Sequence, residues 1–259
     1  MTLEQAIQHF ATATPDKVAA ICGDDQITYA ALWSGIVERA AQLQAAGLKP
    51  HRPYVYRANQ DIDFLVTYCA IHHIHAIAVP LEHGATEENF QAVKAEVDSC
   101  TFADDIVDTL YTTGTTGKSK GVMLSESALV SCADNFIADL GFTQELLFIV
   151  SGPLNHIATL FKIHPILTIG GTVCILDGLK DIDVLILPSD YSPIMLGPDK
   201  VPADAFTKMY LNWVGPQPPA YRSGFGMEGV QKIKEFVERG GRLLCLNKSC
   251  DFAIDYLGL

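Results

Sequence analysis

The sequence predicts an α/β protein, and three observations carry that prediction. Short apolar runs bounded by turn residues, among them Val18 to Ile21, Ala76 to Leu81, Leu146 to Val150 and Thr172 to Leu176, have the length and composition of buried strands. Longer segments between them carry apolar residues at helical spacing, as Leu32, Ile36, Ala40 and Leu43 do. Between two apolar stretches lies a loop rich in threonine, glycine and lysine, from Thr112 to Lys120, a composition suited to cradling an anion.

Composition sets the bounds. The 259 residues hold one large domain or two smaller ones. Hydrophobic residues at 49% and charged residues at 19% fit a folded chain and not a disordered one. A net charge of −12 argues against a general nucleic-acid surface. Seven cysteines with no C-x-x-C pair read as reduced thiols of a cytoplasmic protein. The first ten residues lack the basic start and apolar run of a signal peptide. The longest apolar stretch, Ile157 to Leu176, is broken by Lys162, His164, Pro165, Gly170 and Gly171, so it reads as a buried helix and strand and not as a membrane span.

Leu3 to Ala13 reads as a short amphipathic helix, Val18 to Ile21 as a strand, and Asp24-Asp25 as a turn. Thr28 caps a helix running to Ala46, and Gly47 stops it. Asp61 to His75 reads as a helix, Ala76 to Leu81 as a strand and Glu87 to Val97 as a charged amphipathic helix. Ser125 caps a helix to about Leu140. A buried strand, Leu146 to Val150, precedes a helix from Ala158 to Leu167 and a strand from Thr172 to Leu176. Ile182 to Ser189 reads as a buried parallel-type strand ending in a loop. After a proline-rich stretch, Gly229 to Glu238 is a helix with Val230, Ile233, Lys234 and Val237 at helical spacing, stopped by Gly240-Gly241. Leu243 to Leu246 is a strand, and Ser249 to Leu257 closes the chain as a helix.

His72, His73 and His75 form the one apparent metal cluster, but their spacing splays one ring away and no acid stands at helical spacing. They read as ordinary histidines at a helix end, favoured by the helix dipole.

The loop itself carries the functional reading. Small or hydroxylated residues at Thr112, Thr113, Gly114, Thr115, Thr116 and Gly117 leave the backbone open to close approach by a ligand. Backbone N–H groups and threonine hydroxyls can donate to phosphate oxygens, and Lys118 and Lys120 supply positive charge. A Walker A loop is excluded because Thr112 stands where its first glycine is required. The stretch from Tyr111 to Val122 resembles the signature loop of the acyl-adenylate-forming superfamily, aromatic-Thr/Ser-Ser/Thr-Gly-Thr-Thr-Gly-x-Pro-Lys-Gly-Val. Ser119 replaces the usual proline. The opening order from Pro15 to Leu48, the Val79-Pro80-Leu81 strand end and Pro153-Leu154-Asn155-His156 resemble further motifs of that superfamily.

The resemblance covers Met1 to about Asp181 and implies an incomplete adenylate-former N-terminal domain over residues 1–181. It implies ATP as the nucleotide, Mg²⁺ as its counterion, coenzyme A as co-substrate and a small carboxylic acid as the molecule activated. By the same resemblance Thr112 to Lys118 and Lys120 hold the nucleotide's phosphates, and His156 lies at the acyl pocket. Past Asp181 nothing matches the family's Tyr-Gly-x-Thr-Glu or Thr-Gly-Asp stretches or its C-terminal lysine domain. The tail over 182–259 resembles instead the amidotransferase-like, flavodoxin-type domain attached to some zinc carboxypeptidases of the M14 family. Cys245 and Cys250 have no histidine downstream of His164 to activate them and read as buried structural thiols.

The chain therefore reads as a join near Gly178 to Asp183, whether natural, engineered or the product of a misassembled reading frame. Three functions stay open on the sequence: an AMP-forming acid–thiol ligase portion inactive alone, a non-enzymatic nucleotide- or phosphate-binding module, and a structural α/β fusion.

Overall fold

A computed structural model describes residues 1–111, 120–150, 152–176, 184–187, 189, 191–197 and 224–258. The chain opens with helix α1 (Leu3–Ala13), started by a reciprocal cap: Thr2 Oγ1 accepts from Gln5 N–H while the Gln5 side chain accepts from Thr2 N–H. Its buried face is Leu3, Ala6, Ile7 and Phe10. Strands β1 (Val18–Cys22) and β2 (Asp25–Thr28) pair antiparallel. Thr28 ends β2 and caps helix α2 (Tyr29–Ala45), accepting from Ala31 N–H, as its hydroxyl at that position predicts. Leu32, Ile36, Ala40 and Leu43 form the buried stripe of α2, and Gly47, at φ +98°, turns the chain away.

Strand β3 (Pro53–Ala58), helix α3 (Ile62–His73) and strand β4 (Ile77–Glu82) make a parallel βαβ unit. Helix α4 (Glu87–Ser99), capped by Thr86, leads to strand β5 (Ile106–Tyr111). Strand β6 (Gly121–Ser125) returns antiparallel to β5, and Ser125 caps helix α5 (Glu126–Leu140). Strand β7 (Leu147–Val150), helix α6 (Ile157–Thr168) and strand β8 (Thr172–Ile175) complete this part. Gly170, at φ +76°, sits where an added Cβ would meet the Phe10 ring at 2.7 Å, so both its backbone and its neighbour require glycine.

These elements form two four-stranded sheets, in the orders β2-β1-β8-β7 and β3-β4-β5-β6. The main core lies around α3, which is buried along nearly its whole length from Phe64 to His72. A smaller cluster of Ile77, Val79, Leu81, Val93 and Val97 fills the other face of β4 under α4. The fold class is thus α/β as the sequence predicts, with mixed parallel and antiparallel sheets.

Contacts divide the described residues into two compact units, one ending at Asp177 and one taking up the tail from Gly178 on. In the second, strand β9 (Val184–Leu187) pairs parallel with strand β10 (Arg242–Cys245). Helices α7 (Ser192–Leu196) and α8 (Gly226–Glu238) lie between them in sequence, and helix α9 (Ser249–Phe252) runs into a π turn (Ala253–Leu257). Leu187, Leu196, Val230, Ile233, Phe252 and Leu257 form its core. Ser249 Oγ accepts from Leu246 N–H and donates to Leu187 O at 3.0 Å, fastening the turn after β10 to the end of β9.

Three local expectations need correction. Strands β7 and β9 are buried on one face only, because helices cover one side: Leu147 and Ile149 in β7, and Val184 and Ile186 in β9, are exposed. Helix α8 begins at Gly226, and its inward residues are Val230, Ile233 and Phe236, with Lys234 and Val237 only half-buried. Cys250 is exposed, and Cys245 is half-buried with its thiol pushed up by burial, so neither is a buried structural thiol.

The histidine cluster also resolves differently. His73 packs edge-on against Trp33, and His75 takes a left-handed turn at φ 55°. His72 is buried, with acids on both sides that come from distant elements and not from its own helix. Its Nε2 donates to Asp108 Oδ1 of β5 at 2.8 Å, and its Nδ1 lies 3.2 Å from Glu4 Oε1 of α1. Tyr68, one turn earlier in α3, donates its hydroxyl proton to Asp108 Oδ2 at 2.8 Å. The Tyr68 hydroxyl oxygen in turn accepts from His164 Nε2 of α6 at 2.8 Å, since the tyrosine has only one proton to give. With both nitrogens facing carboxylates, His72 is an imidazolium.

The electrostatics follow the geometry. Burial alone would lower His72, but Asp108 and then Glu4 outweigh it and push it up to about 10. Burial would raise Glu4, yet the charge of His72, 3.2 Å away, brings it to about 2. Burial and the neighbouring His72 charge hold His164 at about 4, neutral at physiological pH.

Two outcomes are expected. His72→Gln should cost about 3–5 kcal/mol of stability in urea denaturation at pH 7, because it leaves Glu4 and Asp108 buried without their cation. The pH profile of stability should peak near neutrality. The His72 contribution is complete below its ordinary value of 6.5 and is lost as pH rises through about 10. The His164 contribution is complete above 6.5 and lost as pH falls through about 4, followed by that of Glu4 between 4.5 and about 2. In His72→Gln the alkaline limb should flatten, as chemical denaturation from pH 6 to 10 would read directly.

Candidate nucleotide and acyl site

Strand β5 runs from Ile106 to Tyr111 and β6 begins at Gly121, with Tyr111 directly opposite Gly121 in the antiparallel register. The Thr/Gly loop is therefore the connection of a hairpin. An added Cβ at Gly121 would lie 3.0 Å from Thr109 Cγ2 and 3.2 Å from Tyr111 Cζ, so glycine at this position lets the tyrosine ring lie across the hairpin base. Thr112, Thr113, Gly114, Thr115, Thr116, Gly117 and Lys118 fall outside the described residues. Lys120, at the foot of β6, is exposed.

The root of this hairpin is held from below. Asp108 stands three residues before Tyr111 on β5, and its two oxygens are taken by Tyr68 and His72 of α3. The strand that delivers the loop is thus anchored to the central helix by charge-assisted hydrogen bonds within a dry core.

His156 is the N-cap residue of α6, half-buried, with an extended backbone (φ −100°, ψ 139°) and no side-chain cap bond. Its carbonyl starts the helix by accepting from Thr159 and Leu160 N–H at 3.0 Å. The turn before it closes through His156 N–H to Pro153 O at 3.1 Å. Gly152 belongs to this turn because a Cβ there would meet Thr159 Oγ1 at 2.4 Å. Gln60 Nε2 donates to Gly152 O at 3.0 Å, tying the same turn to the end of β3.

A cleft of about 470 Å³ opens beside it, at the C-terminal ends of the parallel strands β3 and β4, the usual ligand position in an open α/β sheet. Ala58, Asn59, Gln60 and Asp61 line it from the β3–α3 junction, Glu82 and His83 from the end of β4, and Pro153 and Asn155 from the turn before α6. Asn59 Oδ1 and His83 Nδ1 are 2.6 Å apart, and Asp61 Oδ1 caps α3 by accepting from Phe64 N–H at 2.8 Å. His156 itself is next to the lining in sequence but is not part of it.

Sequence reasoning thus reached the motif and missed its neighbours. Asn155 could have been found from the motif's own spacing, whereas Glu82 and His83 gave no signal beyond following a strand. Asp108 did leave a trace, as a lone acid in an otherwise apolar run. Among the described residues no group of three or more His, Cys, Asp or Glu side chains is placed to hold a metal ion, and no helix is long and apolar enough to cross a membrane.

Comparison with known proteins agrees with the geometry. The D-alanine–D-alanyl carrier protein ligase of Listeria welshimeri is 28% identical over 153 residues, which cover 56% of this chain and 28% of that one. This chain therefore spans little more than a quarter of that relative's length. The solved structure of VinN with L-aspartate superposes with a TM-score of 0.58 at 14% identity, over 73% of this chain and 67% of that one. ATP-bound MatB from Rhodopseudomonas palustris superposes with a TM-score of 0.58 at 23% identity, over 73% and 50%. The sequence pattern of the AMP-binding enzyme family matches residues 7–103 and 94–187, continuing beyond the motifs read above into β9. With that match spanning well over half of its residues, the protein belongs to the AMP-binding enzyme family.

Proposed function

We propose that this chain is the nucleotide-capturing portion of an AMP-forming acid–thiol ligase. The observation that carries the proposal is the hairpin register: Tyr111 opposite Gly121 brings the two ends of a Thr/Gly/Lys connection together above an anchored strand. Such a connection offers backbone N–H groups and hydroxyls to phosphate oxygens. Thr112, Thr113, Gly114, Thr115, Thr116, Gly117, Lys118 and Lys120 are the residues assigned to that task. Membership of the AMP-binding enzyme family supports ATP as the nucleotide.

The chemistry proposed for the ligase is two displacements. A carboxylate is a poor acyl donor, so its oxygen attacks the α-phosphorus of ATP and pyrophosphate leaves, giving an acyl-AMP. A thiolate then attacks the acyl carbon, and AMP leaves with the bonding electron pair. The loop's part is to hold the β- and γ-phosphates in line and to stabilise the charge that grows on departing pyrophosphate. His156, at the uncapped start of α6, is assigned to the end of the acyl pocket. The thiol is that of coenzyme A or of a carrier protein such as the one named for the Listeria relative. Mg²⁺ would screen the triphosphate.

A second reading, nucleotide or phosphate capture without turnover, is favoured by a specific feature. Nothing in the chain after Asp181 matches the family stretches that would grip adenine, ribose and the metal. Each such group commonly contributes orders of magnitude to rate. The parallel β9–α8–β10 unit is assigned, on its order alone, to an amidotransferase-like segment.

Both readings predict that ATP raises the midpoint of thermal unfolding, and that Lys120→Ala abolishes most of this rise. At ATP concentrations about a hundredfold above Kd the stabilisation should be near 2.7 kcal/mol. Differential scanning fluorimetry across an ATP titration checks this. ATP–pyrophosphate exchange with a panel of carboxylic acids then separates ligase from binding module, since only the former returns label to ATP. An unchanged midpoint at saturating ATP rules out both.

A further inference from the structure

We infer that Asp108 is a positioning residue for Lys120: with a bulge at Val107 it sets the β5–β6 register that leaves this lysine just past the last paired position, next to the Thr/Gly connection. The inference rests on the reading that Lys120 meets nucleotide phosphate.

The pairing of the hairpin shifts by one residue along its length. Ile106 stands opposite Ser125, but Asp108 stands opposite Leu124, so Val107 is an extra residue in β5. From Asp108 on the ladder is regular: Thr109 faces Met123, Leu110 faces Val122 and Tyr111 faces Gly121. Continued without the shift, the first pairing would set Leu110 opposite Gly121 and Tyr111 opposite Lys120. Lys120 would then be drawn into the ladder, and the Tyr111 ring would meet a residue that has a Cβ. At Gly121 an added Cβ would come within 3.2 Å of Tyr111 Cζ, so the ring has settled against the one residue of the pair that accommodates it.

Asp108 holds the bulge in place. In a regular strand, residues two apart share a face. Ile106 packs in the cluster under α4, whereas Asp108 faces α3, and the extra residue between them is what turns the carboxylate round. There it is fully buried, with Oδ2 accepting from Tyr68 and Oδ1 from His72, both at 2.8 Å. Undoing the bulge would carry the charge to the side of Ile77, Val79 and Leu81, away from its donors, a costly place for a carboxylate. The buried bonds thus select the register, and the register selects where Lys120 stands.

The test is a double-mutant cycle on the full chain, read by calorimetric titration with ATP at a temperature where circular dichroism shows every variant folded. Asp108→Asn should weaken ATP binding about tenfold, and Lys120→Ala at least as much. Because Asp108 acts through Lys120, adding Asp108→Asn to Lys120→Ala should cost no more than about twofold further. A role confined to stability would leave the affinity of the folded protein untouched, and an independent role would multiply the two losses. Tyr68→Phe keeps the buried charges and removes one bond to Asp108. It should weaken binding about threefold, and it carries the test if Asp108→Asn does not fold. In NMR spectra without ATP, the contact between the Tyr111 ring and Gly121 should weaken in Asp108→Asn and Tyr68→Phe. Unchanged affinity in these two variants, losses that multiply in the cycle, an unaffected Lys120→Ala or an intact ring contact overturns the inference and leaves nucleotide binding standing. Failure of the unaltered chain to bind ATP brings down the binding reading, and this inference with it.

Discussion

The structure of the first unit depends on one buried cation held between two acids. His72 sits in the most enclosed helix of the fold with Glu4 on one side and Asp108 on the other, and Tyr68 and His164 complete the array. Four elements meet there: α1, α3, β5 and α6. Hydrophobic patterning already favours one register for those elements, because a one-residue slip of β5 would turn its apolar side chains to the other face. A buried imidazolium adds to this, since each misplacement strands a charge away from water. The array therefore selects one arrangement of these four elements more than it adds to net stability.

That selection reaches the candidate site through β5. Asp108 is inside the core, and three residues further on the strand ends at Tyr111, where the Thr/Gly connection begins. The turn before α6 is fixed from another direction, by Gln60 to Gly152 and by the close approach of Gly152 to Thr159. Loop root and α6 turn are thus both placed by polar bonds to rigid elements.

Much of the fold was legible because its signals are local. A hydroxyl or carboxylate before an apolar run caps a helix through a bond spanning three residues, as Thr28 and Ser125 do. The stripe Leu32, Ile36, Ala40, Leu43 is buried because helical geometry puts those positions on one face, whatever the helix packs against. One-sided burial of β7 and β9 was not legible. A run of four or five apolar residues looks the same whether a helix covers one face or both, and Leu147, Ile149, Val184 and Ile186 fall on the uncovered sides.

The sequence by itself determined the elements, the α/β class and the chemical character of the Thr112 to Lys120 connection, since each follows from residues within a few positions of one another. Only the tertiary structure decided the meaning of His72, because its acids lie elsewhere in the chain, Asp108 at a separation of 36 residues, and no periodicity within α3 points to them. The same holds for Tyr68 and His164, 96 residues apart yet sharing a hydrogen bond. It holds as well for the cleft, whose walls come from the ends of two strands and a turn far along the chain. Local sequence sets which way a side chain points along its own helix or strand. What it meets there is set by how the elements pack.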